Sequence, residues 1–83
     1  MNKFLIVYGH DGSFFYTETS TILDAVFALA NYTGNSFSEA CEKAIKAMCT
    51  PSDIIELYNR FVCGYDEIQA VYKIDSILYQ QKN

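Results

Sequence analysis

The sequence predicts an α+β domain: a three-stranded antiparallel sheet, order 2-1-3, with helices packed on one face. Three observations lead there. Two β-rich runs, KFLIVYG and SFFYTETS, flank a short polar stretch containing glycine, the pattern of a hairpin. Three further segments each open on a hydroxyl residue suited to cap a helix and continue with apolar residues at helical spacing,. Then EIQAVYKID returns to the alternation of a strand with one buried face,.

The hairpin centres on YGHDGS, residues 8–13. Asp11-Gly12 suits a two-residue type I′ turn, in which both positions need positive φ, and that turn sets Tyr8 opposite Phe15. A three-residue loop with Gly12 left-handed sets Tyr8 opposite Phe14 and Ile6 opposite Tyr16. The second register is preferred because it gathers Phe4, Ile6, Tyr8, Phe14 and Tyr16 on one face.

The first helix starts at the capping box Thr21-Ile-Leu-Asp24, runs through ILDAVFALANYT and ends at Gly34,. The second opens at Ser36-Phe-Ser-Glu39 and continues to Cys49. Phe37, Cys41, Ala44, Ile45 and Met48 form its apolar stripe, and Glu39–Lys43 and Glu42–Lys46 pair on its wet face. Thr50 caps the third, with Pro51 at the first helical position, where its missing N–H costs nothing. Ile54, Leu57, Tyr58, Phe61 and Val62 keep helical spacing until Gly64.

In the last strand Ile68, Ala70, Tyr72 and Ile74 alternate with Glu67, Gln69, Lys73 and Asp75, and Val71 alone breaks the polar side. A helix over 66–80 would scatter the apolar residues around its circumference, so the strand is preferred. Parity changes at Ile77 and Tyr79, so Asp75-Ser76 is expected to bulge or turn, with pairing to about Tyr79 and fraying from Gln80 to Asn83. The resulting order is β-β-α-α-α-β. Short links set the last strand antiparallel to the first and place the most apolar strand, Leu5 to Tyr8, in the centre. Both outer strands expose hydrogen-bonding edges.

The chain of 83 residues reads as one domain, 1–83, too small for a core plus a deep cleft, so any site is shallow,. Half its residues are apolar, with six Phe and seven Tyr, which excludes the disordered class,. A net charge of −4 with no clustered bases argues against direct binding of nucleic acid,. FLIVY is too short to span a membrane and no leader pattern accompanies it, so the expected location is cytoplasmic. Three cysteines without a CxxC pair fit reduced thiols better than a disulfide framework,. Abundant Phe, Tyr, Ile, Asn and Lys beside scarce Gly, Arg and Pro is the residue usage of an AT-rich bacterial or phage genome.

Catalysis has little to work with. His10 is the only histidine available as a base, its neighbour Asp11 shares a turn in which adjacent side chains point apart, and Cys41, Cys49 and Cys63 lie in the other half of the chain,. The stretch reads as a surface turn and the protein as no enzyme. There is no CxxC, HxxxH, Walker lysine loop or dinucleotide fingerprint, and Gly9, Gly12, Gly34 and Gly64 each read as a turn or cap, so neither metal nor cofactor is expected,. Glu39 and Glu42 each face a lysine, which describes a solvated surface and not an acid/base pair.

The tyrosines are the remaining feature. Tyr58, Tyr65, Tyr72 and Tyr79 recur every seven residues, but Gly64 and the change from helix to strand prevent one shared face. Tyrosine is nonetheless enriched at interface hot spots, where it offers a large contact area with a polar tip. Tyr16, Tyr65 and Tyr79, near element ends, together with the adjacent acids Asp66 and Glu67, are the candidate partner-binding residues.

The expected function is a small non-catalytic intracellular module that binds another protein through a strand edge and exposed tyrosines, with a homodimer through a strand edge or helix as one form. The alternative is a small acidic inhibitor from a phage or mobile element, of anti-defence or anti-CRISPR type, covering the basic surface of a nucleic-acid-binding enzyme. Clustered acids favour the inhibitor; scattered acids and an apolar contact surface favour the module. The order of elements alone licenses no function.

Overall fold

A computed structural model describes residues 1–73 and 76–81, apart from the side chain of residue 76. The chain is α+β, with strands β1 (Asn2–Tyr8) and β2 (Ser13–Thr19), helices α1 (Ile22–Thr33), α2 (Glu39–Lys46) and α3 (Pro51–Phe61), a 3₁₀ turn at Gly64–Asp66, and strands β3 (Ile68–Lys73) and β4 (Ser76–Gln80). The sheet is antiparallel and four-stranded, in the order β2-β1-β3-β4. The expected 2-1-3 order is present, extended by one strand. The parity change after Lys73 marks a reversal that brings β4 back alongside β3, so β3 is an inner strand and the free edges belong to β2 and β4. Ile74, Asp75 and the expected frayed residues 82–83 lie outside the described residues. Pairing also runs past the expected end, since Gln81 donates to the Gln69 carbonyl at 2.8 Å.

The helix starts follow their caps. Thr21 Oγ1 accepts from the Asp24 N–H at 3.1 Å and Thr50 Oγ1 from the Asp53 N–H at 3.1 Å. At the far end of α1, Gly34 (φ +77°) donates to Asn31 and Asn35 to Ala30, closing a Schellman motif,. Helix α2 is capped by Ser38 instead of Ser36, because Phe37 is drawn out of the helix into an aromatic cluster with Phe27, Tyr58 and Phe61. Both expected α2 ion pairs form, at 3.7 and 3.2 Å. Helix α3 ends at Phe61, and Gly64 enters the 3₁₀ turn where a helix end was expected.

One face of the sheet and the inner faces of the helices make the core: Phe4 and Ile6 of β1, Ile68 and Val71 of β3, Val26 and Leu29 of α1, Ile45 of α2, and Ile54, Ile55 and Tyr58 of α3. Among the described residues no helix is long and apolar enough to cross a membrane.

Two registers differ from expectation, for one shared reason. Tyr8 pairs with Ser13, Ile6 with Phe15 and Leu5 with Tyr16, so the loop holds four residues, Gly9 to Gly12. Phe15 therefore joins Phe4, Ile6 and Tyr8 over the core, and Phe14 and Tyr16 turn to the opposite face. The loop is longer because it docks on the 64–67 segment: the Gly9 N–H donates to the Glu67 carbonyl at 2.8 Å, and a β-carbon on Gly9 would lie 2.6 Å from the Tyr65 carbonyl oxygen. Beyond that contact β3 bulges. Tyr8 pairs with Ile68 but Val7 with Ala70, which leaves one extra residue on β3,. Val71 consequently faces the core; Ala70 is buried as expected but on the other face, between Val7 and Gln80, and Tyr72, expected to be buried with Ile68, is half-buried on that same face. Asn59 of α3 clamps the bulge, its Oδ1 accepting from the Ile68 N–H at 2.8 Å and its Nδ2 donating to the Ile68 carbonyl at 3.0 Å.

These contacts set two stability predictions for urea denaturation. Gly12 (φ +71°) has open space around it, so Gly12→Ala costs only the left-handed backbone penalty, about 1 kcal/mol; Gly9→Ala adds a backbone collision and costs about 3 kcal/mol. Asn59→Leu strands the N–H and C=O of Ile68 and costs about 3 kcal/mol. Equal costs at the two glycines, or a neutral Asn59→Leu, would contradict this description of the corner.

Candidate functional site

The helices cover one face of the sheet, and the other carries side chains in cross-strand rows. Phe14, Val7, Ala70 and Gln80 form one row across β2, β1, β3 and β4; Tyr16, Leu5, Tyr72 and Ile77 form the next; Glu18 and Lys3 begin a third. Two complete rows are thus apolar or aromatic except for Gln80. Phe14 is 69 % exposed, Tyr16 57 % and Ile77 61 %. Lys3, Leu5, Tyr16, Tyr72 and Lys73 border a shallow groove of about 210 Å³.

Local sequence explains why the face is apolar. Strand β1 contains the run FLIVY, so whichever face the helices cover, apolar side chains are left on the other; the helices cover Phe4 and Ile6, which leaves Leu5 and Val7,. The four-residue loop then adds Phe14 and Tyr16 beside them. Electrostatically the face is balanced: Lys3 lies opposite Glu18, and the Tyr16 hydroxyl donates to Glu18 Oε1 at 2.9 Å. That hydrogen bond, ahead of burial and the carboxylate charge, raises the Tyr16 pKa above the ordinary tyrosine value.

The five candidate partner-binding residues do not all converge: Tyr65, Asp66 and Glu67 are consecutive and Glu67 shares a groove with Tyr79, whereas Tyr16 lies apart from them. Tyr16 lies on the open face. Tyr65, 78 % exposed, sits in the 3₁₀ turn with its ring edge-on to His10 at 5.5 Å. Asp66 is half-buried, its Oδ2 accepting from Asn35 Nδ2 at 3.0 Å and from the Cys63 thiol at 3.8 Å. Glu67, also half-buried, holds the hairpin loop through its carbonyl. Tyr79 is half-buried against the core, on the helix side of β4, and lines a groove with Ser52 and Glu56. Burial, followed by the charges of Glu56 and Glu67, pushes its pKa up.

His10 does occupy a turn, and the fold brings that turn against residue 64: a β-carbon on Gly64 would lie 3.1 Å from His10 Nε2. The sequence order hid this approach of His10 to the Cys63 segment. The thiol there hydrogen-bonds a carboxylate.

Leu5, Val7, Phe14, Tyr72 and Ile77 are the site residues that sequence reasoning passed over. Their signal was the unbroken apolar run of FLIVY and the FFY of β2. A strand that fails to alternate needs cover on two faces, and a single helical layer supplies one. Comparison with known protein families, curated proteins and solved structures found no match for this chain.

Beneath the covered face, the Tyr58 hydroxyl is fully buried and has no hydrogen-bond partner among the described residues. Its pKa is pushed up to about 12, first by burial and further by the Asp66 charge; Thr33 pulls the other way, but its hydroxyl already donates to the carbonyls of Leu29 and Ala30. The folded state thus favours the neutral phenol. Its contribution to stability is complete below the unfolded value near pH 10 and is lost between pH 10 and 12, at up to about 1.4 kcal/mol per pH unit. Urea midpoints measured from pH 9 to 12 should show this decline, shallower in Tyr58→Phe, which at neutral pH should match or exceed the wild type because an unpartnered hydroxyl is removed. A destabilised Tyr58→Phe at neutral pH would show that the hydroxyl has a partner, and an unchanged alkaline slope would show that another group titrates.

Proposed function

We propose that this chain is a non-catalytic protein-interaction module whose contact surface is the helix-free face of its sheet. The observation that carries the reading is the exposure of Phe14, Tyr16 and Ile77 beside Leu5, Val7 and Tyr72. With side chains on the order of 200 Å² each, the three most exposed alone present about 350 Å². A contiguous apolar patch of that order marks a functional surface on many small monomers. The contact is the sheet face with its exposed β2 tyrosine.

The placement of charge favours this module over a mimic of nucleic acid. Among the described residues the acids are shared among β2 (Glu18), α1 (Asp24), α2 (Glu39, Glu42), α3 (Asp53, Glu56) and the hairpin corner (Asp11, Asp66, Glu67), and those of α2 are tied to lysines. Cys49 and Cys63 are free and exposed, which suits a reducing, intracellular setting.

The test is capture from a lysate of the source cell on immobilised wild type, Phe14→Asp and Tyr65→Asp, washed in high salt. The expected result is a bound protein that survives the wash on wild type and Tyr65→Asp and is lost on Phe14→Asp. A partner released by salt and indifferent to Phe14→Asp would move the contact to a charged surface and overturn the reading.

A further inference from the structure

Resting on that reading of the open face, we infer that its occupant is a second copy of this chain, packed sheet to sheet about a two-fold axis parallel to the strands.

Charge limits where a second copy can dock. Two copies with a net charge of −4 each repel one another over most of their surfaces,. The open face is where they can meet, since the acids of the helices lie behind the sheet and Lys3 is opposite Glu18.

Row geometry then selects the axis. A two-fold parallel to the strands lays β2 over β4 and β1 over β3 of the partner copy while keeping each row at its own height. Tyr16 then meets Ile77, Leu5 meets Tyr72, Val7 meets Ala70 and Phe14 lies over the aliphatic stem and amide of Gln80, and each contact occurs twice, as an isologous interface requires,. The other in-plane axis reverses the rows and drives Phe14 toward Glu18.

Area sets the strength. Adding the partly exposed Leu5, Val7 and Tyr72 brings the patch to about 450 Å² per copy, so a dimer buries about 900 Å², close to the lower limit for a specific interface,. The dimer is therefore weak and dependent on concentration.

Sedimentation equilibrium over a range of concentrations tests this with two variants at exposed positions, Tyr16→Lys and Ile77→Asp, each checked for native circular dichroism. Wild type is expected to move from 9.4 kDa toward twice that mass as concentration rises. Each variant alone should weaken association about tenfold or more. An equimolar mixture should recover it, because a mixed dimer sets the introduced lysine of one copy against the introduced aspartate of the other and leaves the second contact native. Variants that stay dimeric, or a mixture that gains nothing, would overturn this arrangement. A wild type that remains monomeric to about millimolar concentration would overturn the self-association itself. In that case the open-face reading stands if Phe14→Asp still abolishes capture of another protein, and falls with it if not.

Discussion

Everything in this fold depends on a strand that is apolar on both sides being covered on only one. β1 pairs with β2 and β3 and has no free edge, and its FLIVY run presents apolar side chains to both faces of the sheet. β2 and β3 both run antiparallel to β1 and hence parallel to each other, so the chain must cross over β1 to connect them. All three helices lie in that one crossing. They bury Phe4 and Ile6 against α1 and α3, and nothing within the described chain covers Leu5 and Val7. Burial drives folding from one side, at about 25 cal/mol for each Å² of apolar surface removed from water. The same driving force remains available for association on the other side.

Which residues reach the open face is decided at the far end of the sheet. The hairpin loop is seated on the 3₁₀ turn through Gly9 and Glu67, and Asn59 fixes Ile68 at the bulge. Because side chains alternate with a period of two, a shift of one residue in either register would exchange Phe14 and Tyr16 for Phe15, or Tyr72 for Val71. Gly9, which has no room for a β-carbon, and the Asn59 amide are thus positioning devices for a surface that neither touches.

Much of the fold is legible in the sequence because its signals are local. Thr21, Thr50 and Gly34 announce helix ends through bonds to neighbours within a few residues, and the Glu–Lys pairs of α2 follow from helical spacing alone. The errors arose where a distant segment intervened. Asp11-Gly12 satisfies a tight turn by itself, but the Tyr65 carbonyl and the Glu67 acceptor lie more than fifty residues away. Val71 reads as an interruption of a polar side until the bulge makes it a core residue. Of the tyrosines singled out, Tyr65 is exposed in the 3₁₀ turn, and Tyr16 is exposed at the middle of β2 because the hairpin register turns it to the open face. Tyr79 is not, because β4 folds back and turns it toward α3. The open face was present in the composition of β1, in its lack of alternation, yet the absence of cover is a property of topology.

The most direct measurement is solvent paramagnetic relaxation of side-chain protons in a dilute and a concentrated sample. In the dilute sample Leu5, Val7, Phe14, Tyr16 and Ile77 should relax strongly while Ile6, Leu29 and Val71 stay shielded. In the concentrated sample shielding should spread to the first set and leave the exposed helix residues unchanged. Strong shielding of Phe14 and Ile77 at the lowest concentration, or new shielding confined to the helices, would contradict the claim that the sheet has one covered face and one face kept for a partner.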